Sequence, residues 1–290
     1  MECEPYNLPI LGGIRSPRTK TRTCTMQTSL ASALSLLRLF SAERPNWTLD
    51  QVVAETGLSR STAYRYFRDL VSAGLLFVVS GKTYELGPAI LELDNLIQRS
   101  DPLLRTLPQI VQKVRKRNQY GIVVHRLYNA RVVCVFTDDA DRSFKFNYGR
   151  GDPVPLFSES TSRIILAQLP LRRLRDLYIE NAADVREQGL GTDWASFRAE
   201  LKNMRRSGFA VTRNAEKVQT RISAPIFRSR GRVIASFSQS LPSINPKSSD
   251  LDSLSNLVCQ CAAEISVQIA LLEHPKEQRR RPSRAIRPNA

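Results

Sequence analysis

The stretch of this 290-residue sequence with the most chemical content is Gly57-Leu58-Ser59 and the dozen residues after it. Glycine tolerates the left-handed backbone that a tight turn needs, and serine is a preferred helix N-cap. A helix is therefore predicted to begin just after Ser59. Along it Ser61, Arg65 and Arg68 recur about one turn apart, with Arg60 and Tyr64 beside them. An arginine can donate two hydrogen bonds to O6 and N7 of guanine, which makes Arg65 and Arg68 candidate base readers. The hydroxyls of Ser59, Ser61 and Thr62, with the free N–H groups of a helix start, suit phosphate oxygens. Two other uses fit the same residues. Arg65 and Arg68 read equally as solvated charges beside Asp69, and a helix pair with a hairpin also serves protein contacts.

The surrounding pattern supplies the elements that would position these groups. Leu30, Leu34 and Leu37 form a stripe at helical spacing, which predicts a first helix near 28–41, stopped by Pro45. Leu49, Val52 and Val53 predict a short second helix that Gly57 ends. In the third helix Ala63, Phe67, Leu70 and Val71 face inward, and Gly74 closes it. Two strands are predicted at 75–79 and 83–86, joined at Ser80-Gly81-Lys82. This is the order of a winged helix-turn-helix, whose second helix enters the major groove. Lys82 at the hairpin tip then suits the DNA backbone or minor groove. Pro88 opens a further helix with Leu86, Ile90, Leu93 and Ile97 at helical spacing. It reads as a linker over 88–100, either paired with its copy in a dimer or packed on its own domain.

From Asp101 the pattern is mixed. Helices are predicted near 103–118, 159–169, 171–181, 194–206 and 250–272. Strands are predicted at 122–127, 132–136, 209–212, 222–227 and 233–240, with turns at Asn129-Ala130 and Arg230-Gly231. This predicts an α+β domain, an antiparallel sheet flanked by helices.

The net charge of +16 and pI of 10.1 suit a polyanionic partner, nucleic acid or an anionic membrane surface. Yet residues 1–100 hold 11 Lys/Arg against 9 Asp/Glu, while residues 101–274 hold 26 against 17 and the last 16 hold 6 against 1. The excess is not in the helix-turn-helix, so DNA contact must rest on individual residues. Residues 1–26, with Arg15, Arg18, Lys20 and Arg22 among prolines and glycines, read as a flexible basic arm, and Met26 is an alternative start. Residues 274–290, with Arg279-Arg280-Arg281, read as a basic disordered tail.

The five cysteines (Cys3, Cys24, Cys134, Cys259, Cys261) are odd in number and irregularly spaced, and His125 and His274 are the chain's two histidines. No metal site, disulfide framework or cofactor is expected. Cys259 and Cys261 point to different sides of a helix, against a paired redox role. The opening MECEPYNLPI lacks the apolar core of a secretory signal, and no run is read as approaching the roughly 20 apolar residues needed to span a bilayer. A cytoplasmic, membrane-independent protein is expected. An enzyme is disfavoured, because no Cys-His or Ser-His arrangement and no Gly-rich phosphate loop is recognisable. Two rival readings stand beside a regulator: an effector-free basic nucleic-acid-binding protein, and an enzyme acting on small carboxylates.

The segments SLASALSLLRLFS, LDQVVAETGLSRSTAYRYFRDLVSAGLL and GKTYELGPAILEL resemble the N-terminal domain of the isocitrate lyase regulator (IclR) family. Gly57-Leu58-Ser59-Arg60-Ser61-Thr62 with Arg65, and Tyr84-Glu85-Leu86-Gly87, match that family's turn and strand-end motifs. Gly151-Asp152-Pro153-Val154-Pro155-Leu156-Phe157, Gly208-Phe209-Ala210-Val211 and Ala224-Pro225-Ile226-Phe227 are similar to motifs of its second domain. The resemblance covers roughly residues 27–272. It implies a winged helix-turn-helix over 27–87, a linker helix, and a GAF-like effector domain over 101–273. It also implies a homo-dimer or tetramer on a partly palindromic double-stranded operator, and a small organic effector, often a carboxylate. The effector residues it implies are Ser238 and Ser240, on one sheet face by their spacing of two, with Phe157, Glu159 and Arg221. The sequence departs from the family at several positions here, and the family's usual acidic patch after the Gly208 motif reads Thr212-Arg213-Asn214-Ala215. Glu159 replaces a threonine, Ser162 a glycine and Arg221 a cysteine. Arg221 should favour an anion, and Glu159 should repel one.

Overall fold

The computed structural model describes residues 29–79, 82–129, 131–139, 146, 148–214 and 219–273. The expectations for the N-terminal arm, Met26, Cys3, Cys24, Ser80-Gly81, Ala130, His274 and the tail lie outside them. The chain divides into two compact units, with the boundary between Asp101 and Pro102.

The first unit begins with α1 (Ser29–Ser35), which tightens into a 3₁₀ turn over Leu36–Leu39. The leucine stripe does not survive this. Leu30 and Leu34 are exposed, and the buried positions are Ala33 and Leu36, with Leu37 packed against them. A 3₁₀ turn advances the chain further per residue than an α-helix does, so residues after Ser35 leave the α-helical stripe. The helix also ends ahead of Pro45, where the Trp47 indole donates to the Leu39 carbonyl at 2.9 Å.

Next come β1 (Trp47–Thr48), α2 (Leu49–Thr56), α3 (Arg60–Ser72), β2 (Leu76–Val79), β3 (Thr83–Leu86) and α4 (Pro88–Ser100). Thr48 starts α2 through a reciprocal capping box with Gln51. Gly57 closes α2 at φ 71°, its N–H donating to the Val53 carbonyl at 2.9 Å. Ser59 then caps α3 by accepting from the Thr62 N–H at 3.3 Å. Ala63, Tyr66, Phe67 and Leu70 of α3 meet Val52, Trp47 and Leu76 in one core, where Phe67 and Tyr84 pack edge to face at 4.6 Å. The strands form an antiparallel sheet in the order β1-β3-β2. The two-residue strand β1 carries no periodicity for a sequence pattern to show.

Gly87 joins the wing to α4 against Gly74. A side chain there would put its Cβ 2.1 Å from the Gly74 carbonyl oxygen, a backbone atom that cannot swing aside. Gly87→Ala should therefore destabilise this unit by about 1–3 kcal/mol, as overpacking does. Urea unfolding checks this, and an unchanged midpoint would contradict it. None of the 13 residues of α4 is buried in this chain.

The second unit comprises α5 (Pro102–Arg115), β4 (Gly121–Tyr128), β5 (Arg131–Asp138), β6 (Pro153–Val154), α6 (Ser160–Leu166), α7 (Leu171–Glu180), α8 (Ala182–Glu187), α9 (Trp194–Ser207), β7 (Ala210–Asn214), β8 (Gln219–Arg228), β9 (Arg232–Leu241) and α10 (Ser248–Glu273). The strands form one antiparallel six-stranded sheet, ordered β6-β5-β4-β9-β8-β7. On one face α5 and α10 pack Leu107, Ile110, Val258 and Ile265 onto Ile122, Ile222 and Phe237. On the other, α6 to α9 pack Ile165, Leu174, Val185 and Phe197 onto Val123, Val132 and Cys134. The short β6 and α8 have no counterpart among the elements expected from sequence. α10 is long and apolar enough to cross a membrane by length and composition, with a mean hydropathy of 1.3, but here it buries one face on the sheet.

Candidate nucleic-acid interface and effector site

On α3 the exposed side carries Ser61, Tyr64, Arg65 and Arg68, opposite the buried Ala63, Phe67 and Leu70. The cations differ in their surroundings. Arg60 pairs with Asp50 in the first turn of α2, and Arg68 pairs with its neighbour Asp69 at 3.1 Å. Arg65 pairs with no carboxylate among the described residues, and its guanidinium carbon sits 5.5 Å from the Tyr66 ring centroid. Exposed ion pairs contribute only about 0–1 kcal/mol, so phosphate can displace Asp50 or Asp69. At the start of α3, Ser59 Oγ donates to Thr62 Oγ1 at 2.8 Å and lies 3.2 Å from Ser61 Oγ. Lys82 is exposed on the hairpin with φ 63°, the left-handed region that short hairpin loops use.

In the second unit the sheet face toward α6 is polar. Ser236, Ser238 and Ser240 alternate along β9, all buried, with Arg221 and Ser223 beside them on β8. Ser238 Oγ donates to Ser223 Oγ at 2.8 Å, Ser223 and Ser160 hydroxyls meet at 2.8 Å, and Thr212 Oγ1 donates to Ser160 Oγ at 2.9 Å. Arg221, 4% exposed, directs Nε to Ser240 Oγ at 3.0 Å and Nη1 to Glu159 Oε2 at 2.9 Å. Glu159 occupies the N-cap position of α6 but makes no capping bond with its side chain, which is 14% exposed and turned to Arg221. The sequence set these two charges in opposition, whereas folding pairs them. Phe157 lies in the apolar core, its ring 6.3 Å from Phe197.

Sequence reasoning missed Ser160, Thr212, Ser223, Ser236 and His125 on this face. Arg221-Ile222-Ser223-Ala224 alternate polar and apolar, which was the available signal for Ser223. His125 is hidden at the end of the apolar run Ile122-Val123-Val124. It faces Ser236 across β4 and β9, and among the described residues neither of its ring nitrogens has a hydrogen-bond partner. Ser236 Oγ, Thr161 Oγ1 and Ser162 Oγ are buried and unpartnered as well.

Burial pushes the His125 pKa from 6.5 down to about 3, and the charge of Arg221 adds to the effect. The folded chain thus keeps a neutral imidazole where the unfolded chain binds a proton. Stability from this group is complete above pH 6.5 and is lost as pH falls toward 3, by about 1.4 kcal/mol per unit. His125→Asn should flatten the stability difference between pH 7 and pH 5, and parallel pH profiles for the two proteins would refute this. Burial also pushes the Cys134 and Cys261 thiols up to about 11, and raises Cys259. Thiols held protonated in this way are poor nucleophiles.

Two family models match the chain: the IclR helix-turn-helix domain over residues 29–77, and the bacterial transcriptional regulator IclR C-terminal domain over residues 99–267. The HTH-type transcriptional regulator KipR of Bacillus subtilis (strain 168) is 25% identical over 223 residues, which cover 72% of this chain and 84% of KipR. The IclR of Thermotoga maritima superposes with a TM-score of 0.64 at 20% identity, covering 83% of this chain and 98% of that one. An IclR homolog from Microbacterium hydrocarbonoxydans, solved in complex with 4-hydroxybenzoate, superposes at 0.68 with 21% identity, covering 83% and 99%. With a helix-turn-helix unit followed by the matching C-terminal unit, the chain belongs to the IclR family of DNA-binding transcriptional regulators.

Proposed function

We propose that α3 reads a double-stranded operator through Arg65, with Ser59, Arg60, Ser61, Thr62, Tyr64 and Arg68 completing the contact and Lys82 touching the backbone from the wing. The observation that carries this is Arg65 itself, an exposed arginine that pairs with no carboxylate among the described residues, on the helix face opposite the core. DNase footprinting on genomic fragments tests it. Protection should be confined to discrete sites, and uniform, steeply salt-dependent protection would favour the effector-free basic protein instead.

The second unit, a GAF-like domain in this reading, senses a small organic effector bearing a carboxylate. Arg221, Ser238 and Ser240 form its polar end, and Phe157 supports it from the core. The Microbacterium relative's ligand makes aromatic carboxylates the first compounds to screen by thermal shift. The protein works as a cytoplasmic regulator and not as an enzyme. It acts as a homo-dimer or tetramer, with α4 pairing across two copies. Leu91, Leu93, Leu96 and Ile97 are exposed on that helix, and none of its residues is fully buried. Sedimentation of the full chain should give no monomer at micromolar concentration.

A further inference from the structure

Both partners of the buried pair at Glu159 and Arg221 come from one chain. The guanidinium of Arg221 meets two acceptors, the Glu159 carboxylate and the Ser240 hydroxyl. A carboxylate ligand would have to join that set, and the Nη1 position is already held by a carboxylate. Glu159 is carried on a fixed stem, because the next residue, Ser160, is tied to Thr212 through its N–H and to Ser223 through its hydroxyl. Its side chain leaves the capping bond its position offers unmade. Threonine or another short residue at 159 could not reach across, so the occupancy depends on the length of the glutamate.

We propose that Glu159 is a built-in occupant of the effector site, an intramolecular carboxylate that an acidic effector must displace from Arg221. The proposal rests on the effector-site reading above. A tethered group acts at an effective concentration in the millimolar range or above. A simple monocarboxylate at lower concentration therefore does not exchange with it. An effector succeeds only if further groups reach the hydroxyls beyond Arg221, such as Ser238, and it then expels Glu159 and moves the segment entering α6. Glu159 thereby sets a threshold that selects larger, multiply polar acids over small ones.

Glu159→Ala removes the occupant and leaves Arg221 with a position that a small acid can fill. The full chain, wild type and variant, is melted in sodium acetate or propionate and in sodium chloride of equal ionic strength. Glu159→Ala should melt lower than wild type in chloride and recover in acetate or propionate. Wild type and the double variant Glu159→Ala/Arg221→Met should show no acetate-specific response. If Glu159→Ala folds only with acetate present, the inference holds. If it does not fold at all, Glu159→Gln serves, which keeps the shape and loses the charge. Its acetate response should exceed that of wild type, and an equal response would overturn the inference. An acetate response of wild type as large as that of Glu159→Ala would also overturn it. If a carboxylate stabilises wild type through Arg221 while acetate fails to rescue Glu159→Ala, the effector site stands and the built-in occupant falls. If acetate rescues Glu159→Ala while no organic acid in a wider screen stabilises wild type, the occupant stands and the effector reading falls.

Discussion

Arg65→Ala should erase the operator footprint while leaving the protein folded. A bidentate arginine–guanine contact discriminates by about 1–3 kcal/mol. If the proposed dimer makes one such contact in each half-site, the loss is about 2–6 kcal/mol, enough to move a specific complex into the non-specific range. The fold should not notice, because Arg65 is exposed and holds no ion pair among the described residues. Substitutions of this kind usually stay within about 0.5 kcal/mol. Circular dichroism and sedimentation should therefore match wild type. Arg68→Ala should cost less, since Arg68 must first leave Asp69. Wild-type protection from the Arg65→Ala protein would show that α3 is not the reading element.

Arg221→Met should be the most destabilising single change on the polar face. It removes the ion-pair partner at Arg221 from the half-buried Glu159 carboxylate and deprives Ser240 of its donor. Removing one partner of a buried pair costs about 3–5 kcal/mol. The 14% exposure of Glu159 places this case near the lower end. The double variant Arg221→Met/Glu159→Leu should regain most of that loss, since apolar groups of similar volume often replace a buried pair at little cost. Urea denaturation followed by circular dichroism compares the three proteins. A single variant as stable as wild type would mean that Glu159 is solvated by other means.

These residues also show what could be read before folding. The turn into α3 was legible because its signals are local: Gly57 needs the left-handed region, and Ser59 caps the helix that starts at Arg60. The shared face of Ser238 and Ser240 was legible from the two-residue period of a strand. The meeting of Glu159 and Arg221 was not, because they lie 62 positions apart and depend on how α6 lands on β8. The buried side of α1 was hidden for a similar reason. Its leucines fit a helical stripe, but α1 turns Ala33 and not Leu30 or Leu34 to the core, and the 3₁₀ turn shifts the residues after Ser35. The strands β1 and β6, of two residues each, are defined by their partners and by no pattern of their own.

The ion pairs of Arg60 with Asp50 and Arg68 with Asp69 bear on how the protein searches a genome. On a random stretch of duplex, phosphates must compete with those carboxylates, and the carboxylates themselves approach the polyanion. Displacing each pair offsets part of what a phosphate contact gains, by at most about 1 kcal/mol, so these two arginines would add less to non-specific binding than unpaired ones. If Arg65 reads a base edge as proposed, only the operator adds a contact that random sequence cannot offer. In that reading, selectivity comes partly from weakened contacts everywhere else and not only from the grip at the operator.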